Sequence, residues 1–83
     1  MIDLSYVYIV MCNDNNFYTG WTVNLYKRII RHNEGKASKY TRGRLPVKLV
    51  YFEVFNNKID AQRREYTIKQ LSRKQKLKLI QSL

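Results

Sequence analysis

The sequence predicts an α+β domain, a small three-stranded antiparallel sheet flanked by helices in the order β-β-α-β-α-α. Three observations lead there. Two β-branched and aromatic runs, Ser5–Met11 and Phe17–Trp21, are separated by the turn-forming residues Asn13, Asp14, Asn15 and Asn16. A third such run spans Val47–Phe55. Elsewhere the apolar residues recur at helical spacing behind capping side chains. A chain of 83 residues supports one small core, so residues 1–83 are expected to form a single domain.

In chain order, the first two runs are expected to pair as an antiparallel hairpin. Thr22 or Asn24 can cap a helix starting near Leu25. That helix should turn Leu25, Ile29 and Ile30 inward and stop at Gly35, a residue able to take the left-handed conformation. Residues 36–46 read as a basic connection with one helical turn near Ala37–Thr41. The Val47–Phe55 strand is apolar on both sides, Val50, Phe52 and Val54 opposite Val47, Leu49 and Tyr51. Such a pattern predicts a central strand. Asn57, with Asp60 three residues on, caps the next helix, whose inward stripe runs through Ala61, Arg64, Ile68 and Leu71. Ser72 and Gln75 form a capping box for a last helix packed through Leu77, Ile80 and Leu83.

Composition narrows the function. Hydrophobic residues at 45% and charged residues at 27% are a globular balance. The longest apolar run, Tyr6–Cys12, cannot span a bilayer, and no leader pattern opens the chain, so a cytoplasmic protein without a membrane partner is expected. One cysteine and one histidine exclude an internal disulfide and a four-ligand zinc site. Sixteen Lys and Arg against six Asp and Glu give a net charge of +10, and all sixteen lie from Lys27 onward. Such a field attracts polyanions, nucleic acid above all.

Several residues fit a site better than a core. Glu65 falls at the edge of the stripe that should face the sheet, where a carboxylate is costly unless paired or bound to a cation. A salt bridge to Arg64, Lys69 or another element is the plainer explanation. Arg28 and His32 share a helix face at i and i+4, which is either a solvated basic face or a guanidinium fork beside an imidazole, suited to a phosphate. Tyr8 and Tyr18 come from the two hairpin strands; tyrosines there are ordinarily packing residues, and a phenol is a weak base at neutral pH unless assisted. Gly20 is either strand punctuation or room for a substrate backbone to approach.

Together these residues carry a resemblance. Tyr6-Val7-Tyr8, followed about ten residues later by Tyr18-Thr19-Gly20, resembles the paired motifs that name the GIY-YIG nuclease superfamily. Arg28 and His32 on the next helix, then Glu65 on the helix after the third strand, continue the match over roughly Ser5–Leu71. The run from Lys39 to Tyr51 looks most like the small single-domain bacterial branch. Tyr6, Val7 and Thr19 depart from the motif letters, whereas the motif tyrosine Tyr8 is kept.

The resemblance implies metal-assisted hydrolysis of a nucleic-acid phosphodiester. One Mg²⁺ or Mn²⁺ would be held through Glu65, with water filling most of its shell. Arg28 would neutralise charge on the phosphate, and Tyr8 or Tyr18 would take a proton from the attacking water with His32 assisting. Lys36, Lys39, Arg42 and Arg44 would contact the backbone, and Tyr40 would stack on a base. The expected activity is that of a DNA endonuclease with weak intrinsic sequence specificity, acting in repair or recombination. DNA is favoured over RNA, and there is room for a protein partner that supplies specificity. The alternative is a nucleic-acid-binding or accessory module that keeps the fold without turnover. An RNA-recognition module that stacks bases on its sheet fits less well, because two strands precede the first helix here.

Overall fold

One antiparallel sheet in the order β2-β1-β3 is formed by β1 (Ser5–Met11), β2 (Phe17–Thr22) and β3 (Lys48–Phe55). Among the described residues four helices surround it, namely α1 (Leu25–Asn33), α2 (Lys39–Arg42), α3 (Lys58–Lys69) and α4 (Arg73–Gln81). The computed structural model describes residues 4–82. The α+β order matches expectation, with α2 as the helical turn of the basic connection. Leu83, expected to pack the last helix, lies outside the described residues.

The hairpin register runs from Tyr6 opposite Thr22 to Met11 opposite Phe17. Its turn closes through Cys12 N–H donating to the Asn16 carbonyl at 2.8 Å, while Asn15 takes φ 66°, a left-handed angle that asparagine tolerates. The Asp14 carboxylate accepts from Asn16 N–H at 3.2 Å. Asn24, not Thr22, caps α1 by accepting from Lys27 N–H at 3.0 Å. Gly35 ends that helix at φ 77°, and Lys36 N–H reaches back to the Arg31 carbonyl. The Asn57 cap and the Ser72/Gln75 capping box both form.

The central strand is β1, not β3. Val7, Tyr8, Ile9 and Val10 are all fully buried, because helices cover both faces of β1. Val7 and Ile9 join Tyr51, Ala61 and Ile68 on the α3 side. Tyr8 and Val10 join Cys12 and Val47 on the α1 side, against Leu25 and Ile29. A bulge between Ile9 and Val10 shifts the β3 register, so that Ile9 faces Tyr51 but Val10 faces Leu49. On β3, Leu49, Phe52 and Val54 stay exposed. The two-sided apolar pattern of β3 therefore marks an edge strand with an uncovered face, a case that alternation cannot separate from a central strand.

Two helix faces also differ from the expected stripes. In α1 the inward residues are Leu25, Ile29 and His32, and Ile30 points outward. The positions follow helical spacing, but a histidine occupies the slot that hydrophobicity assigned to an isoleucine. In α4, Leu79 and Ile80 pack on the core, while Leu77 is 37% exposed and stays outside that cluster.

Candidate active site

The inward histidine of α1 organises the site. His32 is fully buried and its Nε2 lies 2.7 Å from the Tyr8 hydroxyl of β1. On its other side, Nδ1 lies 2.9 Å from Thr41 Oγ1 in α2, and the Thr41 hydroxyl in turn reaches the Ser38 carbonyl at 3.4 Å. One proton per hydroxyl assigns the directions. Thr41 donates to Ser38, so Nδ1–H donates to Thr41, and Nε2 is left to accept from Tyr8. Burial, together with the Arg28 charge, pushes His32 down to about 4, so the imidazole is neutral at pH 7. Burial pushes the Tyr8 phenol well above its ordinary range, and Tyr18 and Glu65 add to that, whereas Arg28 works the other way.

Gly20 sits opposite Tyr8 in the hairpin. A Cβ there would stand 2.6 Å from the Tyr8 hydroxyl oxygen, closer than real Cβ contacts come. The close approach that Gly20 permits is thus that of the Tyr8 ring, and the buried glycine is not open to a substrate backbone. Tyr18 sets its ring edge-on to His32 at 5.3 Å between centroids and stacks on Tyr40 at 5.9 Å. The Arg44 guanidinium lies 4.0 Å over the Tyr40 ring. Tyr40, read from the sequence as a stacking platform for a base, is in this structure engaged with its own neighbours.

Arg44 is likewise committed. It bonds the Asp14 carboxylate at 3.0 Å and the Tyr40 carbonyl at 2.7 Å, tying the hairpin turn to α2. Lys36, Lys39 and Arg42 extend along the same connection and are exposed. Glu65, on α3, is half-buried and pairs with Lys69 one turn on, at 3.5 Å. Arg64 does not join it. It grips the Glu53 carboxylate of β3 through two hydrogen bonds of 2.9 Å, and the Tyr51 hydroxyl donates to the same carboxylate. Burial alone would raise the Glu53 carboxyl, but the Arg64 and Tyr51 hydrogen bonds hold it below its usual range. Among the described residues no group of three or more His, Cys, Asp or Glu side chains could enclose a metal ion. A single half-buried carboxylate such as Glu65 does fit a magnesium-type ion, which keeps several waters and takes one or two carboxylates plus substrate phosphate.

Residues 4–78 match the family described as GIY-YIG catalytic domain. The chain belongs to the GIY-YIG family. A UPF0213 protein of Clostridium perfringens is 65% identical over 79 residues, covering 95% of this chain and 85% of that protein. One of Halobacterium salinarum is 51% identical over 73 residues, covering 88% and 95%, so this GIY-YIG branch is archaeal as well as bacterial. The chain is also similar to the solution NMR structure of a UPF0213 protein from Bacillus halodurans, with 46% identity and a TM-score of 0.61 over 94% of this chain and 83% of that one. A second solution structure, of an E. faecalis protein, has 34% identity and a TM-score of 0.64 over 99% and 90%.

Within this GIY-YIG domain, Tyr8, Tyr18, His32 and Gly20 converge, and Arg28 and Glu65 lie close enough to act on the Tyr8 hydroxyl. Thr41 and Ser38 escaped the sequence reading as site residues. A threonine nine positions from a histidine has no diagnostic spacing, and only the fold of α2 over α1 brings the two together.

Proposed function

We propose that this GIY-YIG protein is a divalent-metal-dependent endonuclease that hydrolyses DNA phosphodiester bonds with little sequence preference, the site lying within one domain. The observation that carries the reading is the buried Tyr8–His32–Thr41 chain set beside Arg28 and Glu65. Of the two tyrosines, Tyr8 is the one with a base at hydrogen-bonding distance. When the Tyr8 oxygen takes a proton from the attacking water, its own proton passes to neutral His32, whose Nδ1–H is held by Thr41. Without that acceptor the buried phenol would be a poor base. Arg28 offers its guanidinium to a non-bridging phosphate oxygen as charge develops there. Glu65 would hold the metal, which when bound supplies Lewis-acid polarisation of the phosphate. The exposed Lys36, Lys39 and Arg42 supply backbone attraction. Among the described residues no helix is long and apolar enough to cross a membrane.

A binding module without turnover is the second reading, and the Lys69 ammonium already beside Glu65 favours it. Labelled duplex, branched and single-stranded DNA incubated with Mg²⁺, Mn²⁺ or chelator separates the two. Metal-dependent nicking lost in Glu65→Ala, with most binding retained, is the expected result. Arg28→Ala should slow cleavage by about 10²-fold or more, the scale of a lost transition-state donor. Cleavage unchanged by both substitutions overturns the site.

A further inference from the structure

At the free edge of β2 a shallow groove of about 250 Å³ is lined by Phe17, Tyr18, Thr19, Tyr40, Lys69 and Lys76. It adjoins the tyrosine–histidine cluster, since Tyr18 belongs to both and Lys69 is the residue paired with Glu65. Its charged lining groups are two ammonium ions, brought from separate helices, α3 and α4. Thr19 is 3% exposed, and its Oγ1 is buried with no hydrogen-bond partner. Buried hydroxyls nearly always have one. An apolar ligand would leave that hydroxyl orphaned and two ammonium groups desolvated. A ligand carrying anionic oxygens would pair with both ammonium groups, drawing Lys69 from Glu65, and would offer the Thr19 hydroxyl an acceptor once that movement uncovers it.

We propose that this groove is a phosphate subsite for nucleic acid, taking the phosphodiester next along the strand from the one at Arg28 and Glu65. The proposal rests on the nuclease reading above for its register, but its chemistry is a binding property that stands without turnover. Phosphates recur every ~3.4 Å of rise along one strand, so a strand engaged at Glu65 carries its next phosphate towards Lys69 and Lys76. Lys69 turns from the Glu65 carboxylate to the phosphate, Lys76 closes on it from α4, and Thr19 donates its hydroxyl to a phosphate oxygen. Neither lysine belongs to the basic connection on which sequence reasoning placed the backbone contacts.

The test is fluorescence anisotropy with labelled single-stranded and duplex oligonucleotides in chelator, so that binding is read without cleavage. Lys69→Gln and Lys76→Gln should each weaken binding several-fold and lower the slope of log affinity against log salt by about 0.7 to 0.9, one counterion each. Lys58→Gln, at the far end of α3, serves as the control and should change the slope little. Thr19→Val should weaken binding about threefold at unchanged slope, while raising the thermal midpoint of the free protein. Lost affinity with gained stability is a split that a packing role does not produce.

A single methylphosphonate linkage is then moved along the strand. At one position it should weaken wild-type binding yet leave Lys76→Gln unaffected. Coupling at no position, or slopes equal to that of Lys58→Gln, overturns the subsite whether or not the protein cleaves. Coupling in a protein that never cleaves supports the subsite and discards the nuclease reading alone. Free inorganic phosphate competing as well as the oligonucleotide would show an anion site with no strand register, and would overturn the proposal as stated.

Discussion

A tyrosine hydroxyl 2.7 Å from a neutral imidazole depends on the space around both rings. Gly20 provides that space, because any larger residue meets the Tyr8 hydroxyl and ring, which are themselves packed in the core. Gly20→Ala should therefore cost about 1–3 kcal/mol by overpacking, read as a lower denaturation midpoint, and should pull Tyr8 away from His32. The imidazole carries a second consequence. Its value falls from an ordinary 6.5 to about 4 on folding. Between those values the unfolded chain binds a proton that the folded chain refuses. Stability is then full above pH 6.5, declines as pH drops towards 4, and levels off below. Thermal melts across pH 4–7 should show this decline, and His32→Gln should flatten it; an unchanged profile in that variant would remove His32 as its source. Thr41 and Gly20 illustrate how legible single residues are. Gly20 stands out as a motif letter, but its physical task, making room for Tyr8, depends on a strand pairing that no single position displays.

At the scale of elements, α3 is fixed to the sheet by Ala61 and Ile68 beneath it and by the Arg64 fork on Glu53 of β3. That ion pair is partly exposed, so its own worth is modest, but removing the arginine strands a half-buried carboxylate and the Tyr51 hydroxyl together. Arg64→Ala should cost about 1–2 kcal/mol, measured by urea unfolding. Adding Glu53→Gln should recover part of the loss, because the stranded charge is gone. The same element presents Glu65 towards the tyrosine–histidine cluster, so on the proposed nuclease reading a loosened α3 should also lower cleavage. Capping signals were partly readable from sequence, since a cap is a contact over three residues: Asn57 and Ser72 behave as their spacing implies, whereas the choice between Thr22 and Asn24 and the Ser38 cap of α2 came only with the structure. Strand placement was not. Sheet order is set by pairings between distant segments, and β3 carries an apolar face that α1 does not cover.

Across the whole molecule, a net charge of +10 is concentrated after the hairpin, and its lysines and arginines have few acidic partners to neutralise them. Nucleic-acid binding should fall steeply with salt, with log affinity linear in log salt; a flat dependence would argue against an electrostatic footprint. Arg44 and Arg64 should contribute little to that slope, since hydrogen bonds of 3.0 Å and 2.9 Å hold them to carboxylates more tightly than the 3.5 Å contact that Lys69 makes with Glu65. Composition, charge, the hairpin, the caps and the ordered appearance of Tyr8, Tyr18, Arg28, His32 and Glu65 were determined by the sequence alone, because each is a local pattern or a sum over residues. Which strand is central, which basic side chains are already engaged, how Thr41 holds His32, and where Thr19, Lys69 and Lys76 meet were decided only by the tertiary structure. Those are contacts between segments far apart in the chain, and their geometry exists only once the sheet has paired and the helices have packed onto its two faces.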